Sequence, residues 1–183
     1  MKWKTLSSRY IFRDQWLTMR ADTCERPDGK IIEPYYVYEF TDWVITVPIT
    51  KEGEIVMLKQ YRHALGEVCI EFPGGCVDAA DENIAAAAAR ELLEETGYMC
   101  DHYEYLCYTS ANPSTNNNRM HIFLATGAEL KQDQQLDHAE DIDVILCNKE
   151  EIMQLIKDHA IVQSMHITAI FYAFQKLGWI EMK

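Results

Sequence analysis

The sequence is poor in positive charge. Across 183 residues it carries 17 Lys and Arg against 29 Asp and Glu, a formal net charge of −12. Such a surface repels nucleic-acid phosphates and anionic lipid heads, which excludes a nonspecific nucleic-acid-binding or membrane-surface role. Long apolar runs are missing as well. No stretch approaches the roughly 20 apolar residues that span a bilayer. The opening segment is interrupted by Arg9, Arg13 and Asp14, so it holds no signal-peptide apolar stretch. The cysteines Cys24, Cys69, Cys76, Cys100, Cys107 and Cys147 form no C-x-x-C pair. That pattern predicts reduced, mostly buried thiols in a cytoplasmic protein. Repeats, low-complexity tracts and linkers are absent too. The length fits one domain, or one domain plus a small extra sheet. With 48% apolar and 25% charged residues the composition is that of a soluble globular protein.

The first forty residues read as extended. Residues 16–20 and 35–40 run apolar and aromatic, and Arg26-Pro27-Asp28-Gly29 between them is a turn signal, so a hairpin is expected. Strands follow over residues 43–49, 54–60 and 67–72, with a turn at Lys51-Glu52-Gly53. The last of them ends at Pro73-Gly74-Gly75, where the backbone must turn sharply or be approached closely. Residues 82–95 predict a helix, because the alanines at 85–89 and the Arg-Glu-Leu-Leu-Glu-Glu after them are strong helix formers. Asp81 stands where an N-cap belongs and Gly97 where a C-terminal glycine belongs. Further strands are expected over residues 103–108, 121–125 and 142–147, with a loop over 109–120. Helices are expected over 149–157 and 165–177. The irregular order points to an α+β fold with a mixed sheet.

The helix carries the chemistry. Glu91 and Glu95 lie i and i+4 apart, and Glu94 lies i+3 from Glu91, so three carboxylates share one side of one turn. They repel one another, and Arg90 at i−4 from Glu94 relieves only part of that. Such a cluster is either a solvated acidic face or a site for a hard divalent cation, which prefers carboxylate oxygen. The Pro-Gly-Gly turn just before the helix favours the second reading, since its exposed backbone groups can face the same cation and a phosphate.

The stretch Glu82, seven residues, then Arg90-Glu91-Leu92-Leu93-Glu94-Glu95-Thr96-Gly97-Tyr98 resembles the signature of the Nudix hydrolase family. That signature runs Gly, five residues, Glu, seven residues, Arg-Glu-apolar-x-Glu-Glu-x-Gly-apolar. The first half departs from it. Six residues separate Gly75 from Glu82, and Cys76 occupies the glycine position, which reads as a one-residue insertion in the loop over 78–81. Gln60-Tyr61-Arg62, Pro113 sixteen residues after Gly97, and the string Asn117-Asn118-Arg119-Met120-His121 resemble the ADP-ribose and ADP-sugar pyrophosphatase branch.

The resemblance implies an α/β/α sandwich with a mixed sheet over residues 41–183 and an N-terminal antiparallel strand extension over 1–40. It implies hydrolysis of a pyrophosphate bond in a nucleoside diphosphate linked to another moiety, ADP-ribose or an ADP-sugar foremost, to give AMP and a sugar phosphate. The other substrates open to the family are GDP-sugars, dinucleoside polyphosphates, NADH and damaged nucleoside triphosphates. A non-catalytic ADP-ribose-sensing module is the alternative from another class, and the intact glutamate set argues against it. Mg²⁺ or Mn²⁺ is the implied cofactor, held by Glu91, Glu94, Glu95 and the Gly74 carbonyl, with Arg90 and Glu82 orienting them. The implied base is a helix glutamate, Glu94 or Glu95, or else Glu140 in the loop over 133–143, which is otherwise a further ligand. Arg62 is a candidate for the diphosphate, Trp43, Tyr35 and Tyr36 for the nucleobase, and Pro113 and Arg119 for other substrate contacts. Each has a plain alternative: a surface ion pair or surface position for the arginines, and core packing for the aromatics. A homodimer paired through the N-terminal strands is also implied.

Overall fold

The computed structural model describes residues 1–181. They divide into two compact units, the first made of Met1–Asp42 with Ser110–Arg119 and the second of Trp43–Thr109 with the chain from Met120 onward.

The first unit is an antiparallel sheet of three strands, β1 (Lys4–Arg13), β2 (Thr18–Glu25) and β3 (Ile31–Glu39), in the order β1-β2-β3. The expected hairpin is present as β2 and β3. Its turn closes through Arg26 N–H to Lys30 O and Gly29 N–H to Arg26 O, and Gly29 takes a φ of 79°, which favours glycine. Strand β1 went unrecognised as a separate element because it has no buried face: all ten of its residues are exposed. The segment 110–119 belongs to this unit. Tyr38 N–H donates to Thr115 O, Asn117 N–H donates to Tyr38 O, and the Tyr35 hydroxyl donates to Ser114 O.

The second unit is built on a mixed sheet. Its strands are β4 (Trp43–Thr50), β5 (Ile55–Arg62), β6 (Glu67–Glu71), β7 (Tyr98–Met99), β8 (His102–Thr109), β9 (Met120–Leu130) and β10 (Ile142–Cys147). The central path is β10-β5-β4-β9-β7, with β6 beside β5 and β8 beside β9. Strands β4 and β9 pair in parallel, and the other pairs are antiparallel. The helices are α1 (Ile84–Thr96), α2 (Lys149–Lys157) and α3 (Ser164–Lys176). Strand alternation sorts the core into two layers. Val44 and Phe123 pack with Ala87 and Ala88, and Val56 and Ala125 with Leu92, all on the α1 side. Ile45, Val47, Ile122 and Leu124 pack with Ile152, Met165, Ala169 and Phe174 on the side of α2 and α3. The result is the expected α/β/α sandwich.

Helix α1 begins two residues later than the sequence suggests. Asn83, not Asp81, is its N-cap, and the Asn83 carbonyl oxygen of the side chain accepts from Ala85 N–H and Ala86 N–H at 3.0 Å each. Asp81 is unavailable as a cap because Arg90 holds it. The helix ends as expected at Gly97, whose φ of 74° and N–H to Leu93 O form the C-terminal cap. A Cβ there would also stand 2.1 Å from Gln132 O, so two constraints require glycine. All six cysteines are free, and Cys24, Cys69, Cys100 and Cys147 are buried. No helix among the described residues is long and apolar enough to cross a membrane.

Loss of the true cap should be measurable. Urea unfolding of Asn83→Ala is expected to show a loss of about 1 kcal/mol. Glu82→Ala, at a position outside the helix, should change stability by less than about 0.5 kcal/mol.

Candidate active site

Helix α1 lies against the sheet through Ala87, Ala88 and Leu92, all fully buried. That contact turns its last turns toward the loop leaving β6. Two glycines there permit an approach that no side chain allows. A Cβ on Gly74 would stand 2.1 Å from Val44 O, and one on Gly75 would stand 2.6 Å from the Glu91 carboxylate. The turn is pinned from both sides. Thr46 N–H donates to Pro73 O and Val44 N–H to Gly75 O, while Gly74 N–H donates to Glu95 Oε2 at 2.7 Å.

Arg90 gathers the acidic groups. Its guanidinium donates to both Asp81 carboxylate oxygens at 2.9 Å, to Glu91 Oε1 and Glu94 Oε2 at 3.0 Å, and to Cys76 O at 3.0 Å. The hydrogen bonds that Arg90 donates to Asp81 raise the Arg90 pKa above its ordinary value and lower that of Asp81. Asp81, and not Glu82, is the acid that pairs with Arg90. Glu82 is exposed, outside α1, and in no hydrogen bond or ion pair among the described residues. Gly75, five residues, then Asp81 reproduces the first spacing of the Nudix signature with a shorter acid. The extra residue consequently lies between Asp81 and Arg90, and not in the loop over 78–81. That loop is a closed turn, with Asp81 N–H donating to Asp78 O and Asp78 N–H donating to Asp81 Oδ2.

The three glutamates differ in exposure. The Glu94 side chain is 40% exposed, that of Glu91 13%, and Glu95 is 4% exposed. Burial pushes the Glu91 carboxyl up to about 7, opposed by Arg90 and reinforced by Glu94 and Glu140. Burial pushes Glu95 up to about 8, opposed by the Gly74 N–H and Arg62 and reinforced by Glu91 and Glu140. Glu140 therefore lies within electrostatic range of both helix acids. The loop is stapled there: Gln134 Nε2 donates to Glu95 O at 2.6 Å and to Ile142 O at 3.1 Å, and Gln135 N–H donates to Glu94 O at 2.7 Å. Past the staple, the Glu140 carboxylate accepts from Asp137 N–H at 2.9 Å.

Arg62 forms an ion pair, with Nε 3.1 Å from both Glu71 oxygens and an Nη 2.5 Å from Oε2. Behind it, His166 Nδ1 accepts from Phe72 N–H at 3.1 Å, and its Nε2 lies 3.8 Å from Glu71 Oε2. Burial pushes the His166 imidazole down to about 4. A pocket of about 320 Å³ opens beside the turn, lined among others by Trp43, Arg62, Gly74, Gly75, Cys76 and His166.

The structure thus brings together Gly74, Arg90, Glu91, Glu94 and Glu95, leaves Glu140 within electrostatic range of them, and sets Arg62 and Trp43 on the adjoining pocket. Tyr36, Pro113 and Arg119 belong to the first unit, where all three are exposed and Arg119 N–H donates to Asp42 Oδ1. Tyr35 in that unit stacks edge-on against Trp3 at 6.2 Å. Asp81, Glu71, Gln134 and His166 are additions to the set read from sequence. Asp81 was legible by counting five residues from Gly75. Glu71, an acid inside an apolar strand, was a signal for a buried partner. His166 and Gln134 carry no local signal.

No three His, Cys, Asp or Glu side chains among the described residues are already gathered as a metal cage. Arg90 and Gly74 N–H hold their oxygens instead. The donor set nonetheless fits a hard divalent cation. It is all oxygen, and its two buried acids are pushed toward protonation by burial and by one another, a condition that a cation relieves.

A family model described as NUDIX domain matches residues 40–166. The chain belongs to the Nudix family. A second model, described as nucleoside diphosphate sugar hydrolase N-terminal domain, matches residues 3–38 of this Nudix protein. It is 32% identical over 170 residues to a protein of Bacillus methanolicus named methanol dehydrogenase activator, covering 92% of this chain and 91% of that one. It is 28% identical over 170 residues to the ADP-ribose pyrophosphatase of Bacillus subtilis (strain 168), with the same coverage of both chains. A crystal structure of an ADP compounds hydrolase superposes with a TM-score of 0.86 at 22% identity, covering 98% of this chain and 96% of that one, which shows the shared fold.

The raised carboxyl groups set the pH response of the metal-free protein. Between the ordinary glutamate value of 4.5 and the folded values of about 7 and about 8, the folded state holds protons that the unfolded chain has released. Stability from this pair is therefore present at low pH and lost as pH rises through that window. A thermal melting series is expected to show it, with a divalent cation raising Tm more at the alkaline end than at the acid end. A cation effect independent of pH would contradict the assignment.

Proposed function

We propose that this chain hydrolyses the pyrophosphate bond of ADP-ribose or an ADP-sugar, with Mg²⁺ or Mn²⁺ as cofactor, and releases AMP and a sugar phosphate. The observation that carries the reading is the packing of the Glu91 and Glu95 carboxylates directly on the Gly74-Gly75 backbone, with Glu94 joined to Glu91 through Arg90. The match to a nucleoside diphosphate sugar hydrolase N-terminal domain and the names of the relatives support the substrate class.

Glu91, Glu94, Glu95 and the Gly74 carbonyl would hold the cation. When bound, it neutralises phosphate charge and lowers the pKa of a coordinated water. The protein's own groups do the rest. Arg90, fixed by Asp81 and the Cys76 carbonyl, sets the direction of the Glu91 and Glu94 carboxylates. Glu140, within electrostatic range of the helix acids, accepts the proton of the attacking water at its carboxylate. Arg62, oriented by Glu71, directs its guanidinium along the pocket rim toward the diphosphate.

Product identification tests the substrate. With ADP-ribose and Mg²⁺ or Mn²⁺ the expected products are AMP and ribose 5-phosphate, and preference for a GDP-sugar, a dinucleoside polyphosphate or NADH would overturn the assignment. Glu94→Gln and Glu95→Gln are expected to lower kcat by roughly a hundredfold or more with the fold intact. Full activity in either would sink the metal site.

The reassignment of the signature acid has its own test. Asp81→Asn, which removes the charge from the Arg90 pair, is expected to lower kcat by about tenfold or more. Glu82→Gln should leave it unchanged, and the reverse order would restore Glu82 to the role.

A further inference from the structure

The glycine turn has one contact that comes from neither the sheet nor α1. Strand β6 ends at Glu71, so Phe72 N–H has no strand partner. Pro73 contributes no N–H at all. The donors flanking it are Phe72 N–H and Gly74 N–H, and they are aimed at two different side chains. Gly74 N–H reaches Glu95 Oε2 at 2.7 Å, and Phe72 N–H reaches His166 Nδ1 at 3.1 Å. A ring nitrogen that accepts from an N–H carries no proton itself, so the proton of the neutral ring sits on Nε2. That nitrogen faces Glu71 Oε2 at 3.8 Å, on the carboxylate that grips Arg62. The ring is 4% exposed and packs 6.1 Å from the Phe72 ring.

One imidazole from the first turn of α3 therefore stands between the turn backbone and the Arg62–Glu71 pair. We propose that His166 is a positioning residue for the Nudix reaction: by accepting from Phe72 N–H it sets where Gly74 lies, and hence how Glu95 and the Gly74 carbonyl present themselves to the divalent cation. The inference rests on the metal-dependent reading of the site. A buried N–H left without an acceptor costs free energy, so loss of the imidazole acceptor would shift the turn that carries Gly74 N–H and its carbonyl.

The test uses the full chain with His166→Phe and His166→Gln. Phenylalanine keeps a flat buried ring and removes the acceptor, whereas glutamine keeps an acceptor on a flexible stem. Mn²⁺ affinity is read without substrate by the EPR signal of free Mn²⁺, and kcat and KM are read with ADP-ribose. His166→Phe is expected to bind Mn²⁺ about tenfold more weakly and to lose kcat with little change in KM. His166→Gln should remain close to the parent chain in both. Equal Mn²⁺ affinity and kcat in His166→Phe and the parent overturn the inference alone. Failure of the parent chain to bind Mn²⁺ overturns the metal reading and the inference with it. Should His166→Phe not fold, amide hydrogen exchange on the parent decides: a Phe72 N–H as protected as that of Gly74 supports the contact, and rapid exchange at Phe72 overturns it.

Discussion

Like charges crowded onto one helical turn govern this site. Glu91, Glu94 and Glu95 repel one another, two of them are largely buried, and Glu140 adds its field from the loop. The arrangement persists because each of these helix acids accepts from a fixed donor. Arg90 spans Asp81, Glu91 and Glu94, and Gly74 N–H serves Glu95. Those donors are themselves held, Arg90 by the Cys76 carbonyl and the turn by the backbone of β4. The glycines follow from the same demand, since a side chain at Gly75 would displace the Glu91 carboxylate. Fold and chemistry meet in that turn.

The elements with strong local causes were legible in the sequence. The alanine run and Gly97 mark α1, and the Arg-Pro-Asp-Gly turn marks the β2–β3 hairpin. Boundaries set by a competing partner were less so. Asp81 and Asn83 are both good caps, and only the position of Arg90, nine residues along, decides that Asp81 serves the guanidinium and Asn83 the helix. Strand β1 was obscured for a different reason: with no buried face it has no period of apolar residues to read.

The site divides the same way. Glu91, Glu94 and Glu95 are neighbours along one helix, so spacing alone brings them together. His166 and Gln134 act across distances in sequence that no local pattern encodes. Phe72 N–H reaches a histidine 94 positions away, and Gln134 reaches Glu95 O across 39. Such contacts depend on how α3 and the 131–141 loop pack, which is a property of the whole second unit.

The parallel pairing of β4 with β9 also constrains how the chain can be made. Trp43 aligns with Met120 and Ile49 with Thr126, so the centre of the sheet joins segments more than seventy residues apart. Strand β3 likewise waits for residues 115–117 to hydrogen-bond Tyr38. Closing loops of this length costs chain entropy before any contact repays it, which slows folding. During synthesis the larger sheet stays incomplete until the chain has grown past Met120, and until then β4 carries an open edge. A nascent chain stalled in that interval exposes an apolar strand to its neighbours, so translation through β9 is the stage at which this protein most needs shielding from aggregation.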